Sequence, residues 1–203
     1  MIYSQNNEQQ IIHDYFGNTL GTFLDLGSND GVTLSNTYAL HRAGWQGTLV
    51  EASPLAYKML LDTYAGHMNY DFIQSAVGTF NGEITLHESG DHLGKGDTSL
   101  LSTIVPSEKA RWVGQKWDEV TVPCVTFSTM LGLTKHKKFD LISMDIEGME
   151  LQVLPQMDLK GLGCHMLIVE YNGKEQKRYD DIVLPQGYDL IAKNGENLIY
   201  TVK

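Results

Sequence analysis

A chain of 203 residues with 42% apolar and 20% charged residues suits one domain and is long enough to bury roughly 70 per cent of its unfolded surface, which excludes a disordered or fibrous protein. Its 15 Lys and Arg against 25 Asp and Glu leave a formal charge of −10, a sign that repels phosphate backbones and argues against a nucleic-acid partner. The apolar runs fall short of a membrane span and the start MIYSQNNEQQ is too polar for a signal peptide, so no membrane partner and a cytoplasmic location are expected.

Residues 1 to 18 form a polar extension whose weakly amphipathic patch (Ile11, Ile12, Tyr15, Phe16) predicts a helix covering one sheet edge. Thr22 to Gly31 then reads TFLDLGSNDG: a short apolar strand, a turn bracketed by Gly27 and Gly31, and beyond it Val32, Leu34, Tyr38 and Leu40 at helical spacing, which predict a helix from Val32 to Arg42. Such a passage makes a ligand cradle, because glycine admits close approach of the backbone and a helix start presents unpaired N–H groups. The dinucleotide fingerprint is absent: the spacing is Asp25-x-Gly27-x-x-x-Gly31, and Ser28 and Asn29 fill the place of a pyrophosphate. Asp25 offers a negative charge to an amino group. The next strand, Thr48 to Glu51, ends in an acid 20 residues after Gly31, where a doubly wound fold binds ribose hydroxyls. An amino acid joined to a nucleoside satisfies both acids, and S-adenosylmethionine is the common ligand of that shape; Asp25, Gly27, Ser28, Asn29, Gly31, Glu51 and the adjoining Ala52 are its candidate contacts.

Ser53-Pro54 caps a second helix with Leu55, Met59, Leu60 and Tyr64 on one face. The alternation of strands and helices implies a parallel sheet with right-handed crossovers. A third strand from Tyr70 to Ser75 leads into Ala76-Val77-Gly78, and its exit makes Ser75 and Ala76 candidates to flank the adenine. Asn81-Gly82 predicts a hairpin between Val77–Phe80 and Ile84–His87, the start of an insertion over 76–125. Residues 88 to 98 (ESGDHLGKGDT) read as a lid loop; Gly90 to Gly96 has the wrong spacing for a phosphate-binding loop. Trp112 and Trp117 are candidates to stack on an acceptor or to pack a flap. Val120 to Val125, broken at Pro123, reads as an edge strand, and Lys135 to Lys138 as a solvated turn. Further core strands are predicted at Phe139–Met144 and His165–Glu170, and a closing antiparallel pair at Tyr188–Ala192 and Leu198–Val202. Cys124 and Cys164, with no C-x-x-C spacing, read as buried reduced thiols.

The runs FLDLGSNDG, VEASP, SAVG, FDLISMDIEGMELQVL and LIVEYN resemble the FkbM-type family of S-adenosylmethionine-dependent methyltransferases, from about Thr22 to about Asn172, with Asp145-Ile146-Glu147-Gly148-Met149-Glu150 as the most specific element. The resemblance implies a class I, Rossmann-like fold: a doubly wound, mostly parallel seven-stranded sheet with an added hairpin and lid loop. It also implies methyl transfer, often to a hydroxyl. Family members carry serine near Ser99, which makes it a substrate candidate.

Methyl transfer from a sulfonium is an in-line displacement that needs positioning and a base for the acceptor's proton. Asp145, ending a strand beside the first, and Glu147, projecting the same way if the chain stays extended, form the expected catalytic pair; Glu147 and Glu150 could instead merely cap a helix. Glu170 and Asn172 end the strand opposite and are candidates to contact the substrate. With Asp145 they make an alternative magnesium set of the kind used by catechol-type methyltransferases, but metal-free catalysis is preferred. His87 and His92 border the lid and are secondary candidates for a base. The expected function is O-methylation of a small polar acceptor, a sugar or a natural product. The alternatives are a nicotinamide-dependent oxidoreductase, opposed by the glycine spacing, and a non-catalytic binding module. No motif speaks to oligomeric state.

Overall fold

The computed structural model of the protein describes residues 1–89 and 99–203. The expected lid therefore lies outside the described residues except for its first two positions, as do the rejected phosphate-loop likeness and His92.

Helix α1 (Glu8–Phe16) precedes β1 (Thr22–Leu26), α2 (Tyr38–Arg42), β2 (Gln46–Glu51), α3 (Pro54–Thr63) and β3 (Tyr70–Gln74). Then come β4 (Ala76–Gly78), β5 (Gly82–Ser89), β6 (Trp117–Thr126) and α4 (Phe127–Leu133), followed by β7 (Leu141–Met144), α5 (Glu150–Val153), β8 (Met166–Glu170), α6 (Gln176–Val183), β9 (Tyr188–Lys193) and β10 (Asn197–Val202). Seven strands form one sheet in the order β3-β2-β1-β7-β8-β10-β9, parallel except for β10, which runs antiparallel to both neighbours. β1 lies in register with β2 on one side (Leu24 opposite Thr48) and with β7 on the other (Leu24 opposite Ile142). The order reverses there, and the crevice at the carboxyl ends of β1 and β7 is where a doubly wound sheet binds its ligand.

Strand alternation divides the core in two. Phe23, Leu49, Leu141, Ile168 and Ile199 pack with Ile12 of α1, Leu40 of α2 and Leu60 of α3. Leu24, Leu26, Ile142, Leu167 and Leu198 pack with Met130 of α4, Val153 of α5 and Tyr179 of α6. Helix α1 thus covers a sheet face rather than the expected edge, because Ile12 meets side chains of the central strands. Ser53 and Thr126 cap their helices as anticipated, accepting from the N–H groups of Ala56 and Thr129.

Three expectations change. The helix after the cradle begins at Tyr38, not Val32. The intervening polar residues prefer local bonds: Asp30 accepts from the N–H groups of Val32 and Thr33, Ser35 accepts from those of Thr37 and Tyr38, and Leu34 takes φ 54°. Second, the added antiparallel ribbon pairs β5 with β6, and β4 joins β6 in parallel, so Asn81-Gly82 does not link a hairpin. Third, β6 is the centre of this three-stranded sheet despite Pro123. β4 pairs only with Cys124 to Thr126, so Pro123 lies just beyond it, and its carbonyl on that side accepts from Ser75 Oγ. The missing N–H breaks no ladder bond there.

Candidate functional site

The crevice floor is built by three strand ends. Gly27 takes φ 85°, and a Cβ there would lie 1.6 Å from the carbonyl oxygen of Asp145, so only glycine lets β1 and β7 converge. The N–H groups of Gly27 and Ser28 both donate to the Val50 carbonyl, tying the turn to β2. The Ser28 hydroxyl serves the same join, donating to the Asp25 carbonyl and accepting from Val50 N–H. Asp25 accepts from Thr37 Oγ1 at 2.6 Å, and burial pushes its carboxyl up to about 6. Glu51 accepts from Asn29 and Ser53 N–H at 2.8 and 2.7 Å; burial nonetheless outweighs these bonds and pushes it up to about 7.

Opposite them stands an acidic group on the loop between β7 and α5 and at the end of β8. Asp145 opens into the cleft yet is ringed by protein; desolvation and then the charge of Glu150 push it up to about 7. Desolvation, reinforced by Asp145, also holds Glu147 and Glu170 well above the ordinary carboxylate range. Both are buried, and each has a carboxylate oxygen (Oε2) with no hydrogen-bond partner among the described residues. The chain does not stay extended past Asp145. Glu147 (φ 48°) and Gly148 (φ 110°) are left-handed, and Thr103 Oγ1 donates to the Glu147 carbonyl at 2.6 Å. Glu147 still lines the cleft. Glu150 is a structural tie: its Oε1 accepts from the N–H groups of Ile146 and Gly148, and its Oε2 lies 3.5 Å from Lys174 Nζ.

The cleft, partly open to solvent, is lined by Asp25, Gly27, Ser28, Asn29, Glu51, Ala52, Ser75, Ala76, Ser99, Asp145, Glu147, Glu170 and Asn172. Gly31 is not among its lining residues; it sits where a Cβ would strike Leu60 and Tyr64, so its role is packing. Trp112 lines the cleft too. His87 is buried against Lys109 and Glu119 and does not line it. Sequence reasoning missed Gln5, Ser35, Asn36, Ser143, Glu196 and Asn197, which come from distant segments and carry no motif. One conformational signal marks the place: among the described residues the non-glycine positions with positive φ are Asn29, Leu34, Ser99, Glu147 and Asn172, and all five line the cleft.

Electrostatically the cleft is one-sided. Asp25, Glu51, Asp145, Glu147, Glu170 and Glu196 line it, and no Lys, Arg or His does so among the described residues. One oxygen each of Asp145, Glu150 and Glu170 falls within 4.8 Å of the others, a geometry that could hold a cation and that includes two of the three expected ligands; the third, Asn172, lines the same cleft. S-adenosylmethionine fits these residues: carboxylates would meet its ammonium and sulfonium, Asn36 Oδ1 is a buried acceptor without a partner among the described residues, and Gly27 leaves the cradle open.

A parallel sheet reversing between β1 and β7, with β10 antiparallel and acids ending β2 and following β7, defines a class I Rossmann-like methyltransferase. The match to known proteins narrows this: residues 25–190 match the methyltransferase FkbM domain, and the chain belongs to that family of S-adenosylmethionine-dependent methyltransferases. Among solved structures it is similar to the candidate methyltransferase yhhF of Escherichia coli (11% identity, 98% of this chain and 88% of that one, TM-score 0.53). It is also similar to the ribosomal protein L11 methylase of Lactobacillus delbrueckii subsp. bulgaricus (13%, 97% and 77%, TM-score 0.52) and to the METTL16 methyltransferase domain (10%, 97% and 66%, TM-score 0.54). At such identities the likeness is one of fold. A stretch of 96 residues, 47% of this chain, is 30% identical to the hemophore HasA of Serratia marcescens; the chain spans about half (51%) of that curated relative's length. No helix among the described residues is long and apolar enough to cross a membrane.

Proposed function

We propose that the protein methylates a hydroxyl group of a small polar acceptor. The observation that supports this reading is the trio of high-pKa carboxylates, Asp145, Glu147 and Glu170, gathered at one end of the cleft. S-adenosylmethionine, when bound, supplies an electrophilic methyl group on a sulfonium, so the chain has to hold its ends and take up the acceptor's proton. Asp25 and Glu51 serve the amino-acid and ribose ends, and Ala52, Ser75 and Ala76 border the base. Asp145 orients the reacting centre, and Glu147, with its unengaged oxygen, takes the proton. A cationic ligand in the cleft would lower the pKa of these carboxyls and so prepare the base. No metal is needed in this scheme, because the N–H groups of Ile146 and Gly148 and the ammonium of Lys174 already engage Glu150.

A cleft lined by six carboxylates and, among the described residues, no cation repels a phosphate backbone, which supports a small acceptor over a nucleic acid. The same charge favours a second reading, an amine acceptor. Incubation with labelled S-adenosylmethionine and a panel of sugars, phenols, amines and RNA tests both. Transfer to hydroxyl compounds supports the first reading, transfer confined to amines the second, and transfer to RNA alone defeats both. Turnover unchanged by chelator is expected; loss with chelator and return with magnesium would assign the Asp145, Glu150 and Glu170 group to a metal.

A further inference from the structure

The residues before the family match have no role in the scheme above, yet they reach the cleft. Gln5 lines it, and its side-chain amide has no partner among the described residues. Two attachments hold the segment in place. The Tyr3 ring stacks edge-on against Tyr38 at 4.7 Å, next to the Thr37 that holds Asp25, and Ser4 Oγ accepts from Gln9 N–H at 3.1 Å. At the other end the Glu8 carboxylate is fully buried. Its Oε1 accepts from the side-chain amides of Asn194 (2.7 Å) and Asn197 (2.8 Å), and its Oε2 accepts from Asn6 N–H (2.8 Å). An isolated buried carboxylate is expensive unless donors surround it, and here amide donors do so. Burial alone pushes this carboxyl up, but bonds from its own N–H, Asn197, Asn6 and Asn194 outweigh it and keep it ionised. The clasp continues inward, because the Glu196 carbonyl accepts from Tyr171 N–H at 2.8 Å, beside Glu170 and Asn172.

Gln5 therefore stands between the Asp25 side of the cleft and the β9–β10 turn, at the amino-acid end of the expected cofactor. Carboxylates are plentiful there for the ammonium, and Asn36 Oδ1 adds an acceptor. The α-carboxylate needs donors, and no cationic side chain lines the cleft among the described residues. Among the described residues Asn36 Nδ2 is engaged on Ser143 Oγ and Asn197 Nδ2 on Glu8, while the Gln5 amide and the buried Asn172 Nδ2 remain as unengaged side-chain amides on the cleft wall. We propose that residues 1–7 are a working wall of the cofactor site: the Gln5 amide donates to the α-carboxylate of S-adenosylmethionine, and Glu8 is the positioning residue that clasps the segment to the β9–β10 turn. This rests on the cleft being the cofactor site.

Calorimetric titration of the full chain with two probes tests it: S-adenosylhomocysteine, which has the amino-acid end, and 5′-deoxy-5′-methylthioadenosine, which keeps the nucleoside and sulfur but lacks that end. Gln5→Ala should weaken the first about 10-fold, the scale of one charge-assisted hydrogen bond, and leave the second within about twofold. Glu8→Ala should show the same selective loss, and Glu8→Gln, which keeps an acceptor for the asparagine amides, should restore most of it. Gln5→Ala with unchanged affinity for the homocysteine compound, or with equal loss for both probes, overturns the proposal. Wild-type protein that binds neither probe overturns instead the assignment of the cleft.

Discussion

Asp145 carries the most consequence per atom. Its carboxyl, open to the cleft yet desolvated by the protein around it and crowded by Glu150, is pushed up to about 7, so it can exchange a proton with the contents of the cleft at physiological pH. Asp145→Asn preserves its size while removing a charge that crowds Glu150 and Glu170. Turnover is expected to fall by about 100-fold or more with the melting temperature kept or raised, checked by methyl-release kinetics beside thermal unfolding. Full activity in this variant would remove Asp145 from the chemistry. Gly27→Ala should fail in the opposite way. The left-handed backbone alone costs about 1–3 kcal/mol, and the overlap with the Asp145 carbonyl adds to it, so the loss should appear as reduced stability in denaturant melts. Both positions were legible in the sequence, one from a glycine after a short strand and the other from the D-x-E-G-x-E run. Gly31 looked equivalent but serves packing, because its distance from the cleft depends on where Leu60 and Tyr64 lie.

At the scale of elements, the loop from Asp145 to Glu150 is held by one side chain. Glu150→Ala should cost roughly 2–5 kcal/mol by leaving the N–H groups of Ile146 and Gly148 unpaired, whereas Glu150→Gln, which keeps an acceptor, should be near neutral in chemical denaturation. Equal losses would mean that charge, not hydrogen bonding, holds the loop. The strands of the large sheet were readable because burial on both faces demands continuous apolar runs. The partners of β4 and β5 were not. Asn-Gly speaks only for a local turn, and the competing pairing with β6 brings together residues such as Gly82 and Cys124 that are far apart along the chain. The shortened α2 has a related cause: apolar spacing suggested an earlier start, but Asp30 and Ser35 satisfy their backbone neighbours in turns instead.

Across the whole molecule the acid-lined cleft couples folding, ligand and pH. Asp25, Glu51 and Asp145 hold protons to about 6, 7 and 7 in the folded chain, while unfolded carboxyls release theirs near about pH 4. Between those values the folded state binds more protons, so stability of the ligand-free protein should fall as pH rises from about 5 to 7, read as melting temperature against pH. Binding of a cationic ligand opposes this, so its affinity should rise over the same interval with release of protons, measurable by titration in buffers of different ionisation enthalpy. A pH-independent affinity would show that these carboxyls do not face the ligand. What the chain's order of residues determined by itself was local and periodic: the strand–turn–helix alternation, the acids closing particular strands, and the motif that marks the family. Only the tertiary structure decided that Gln5, Asn36, Glu196 and the acids that follow β7 and end β8 surround one cavity, since convergence of distant segments depends on strand order and packing, and neither leaves a periodic trace along the chain.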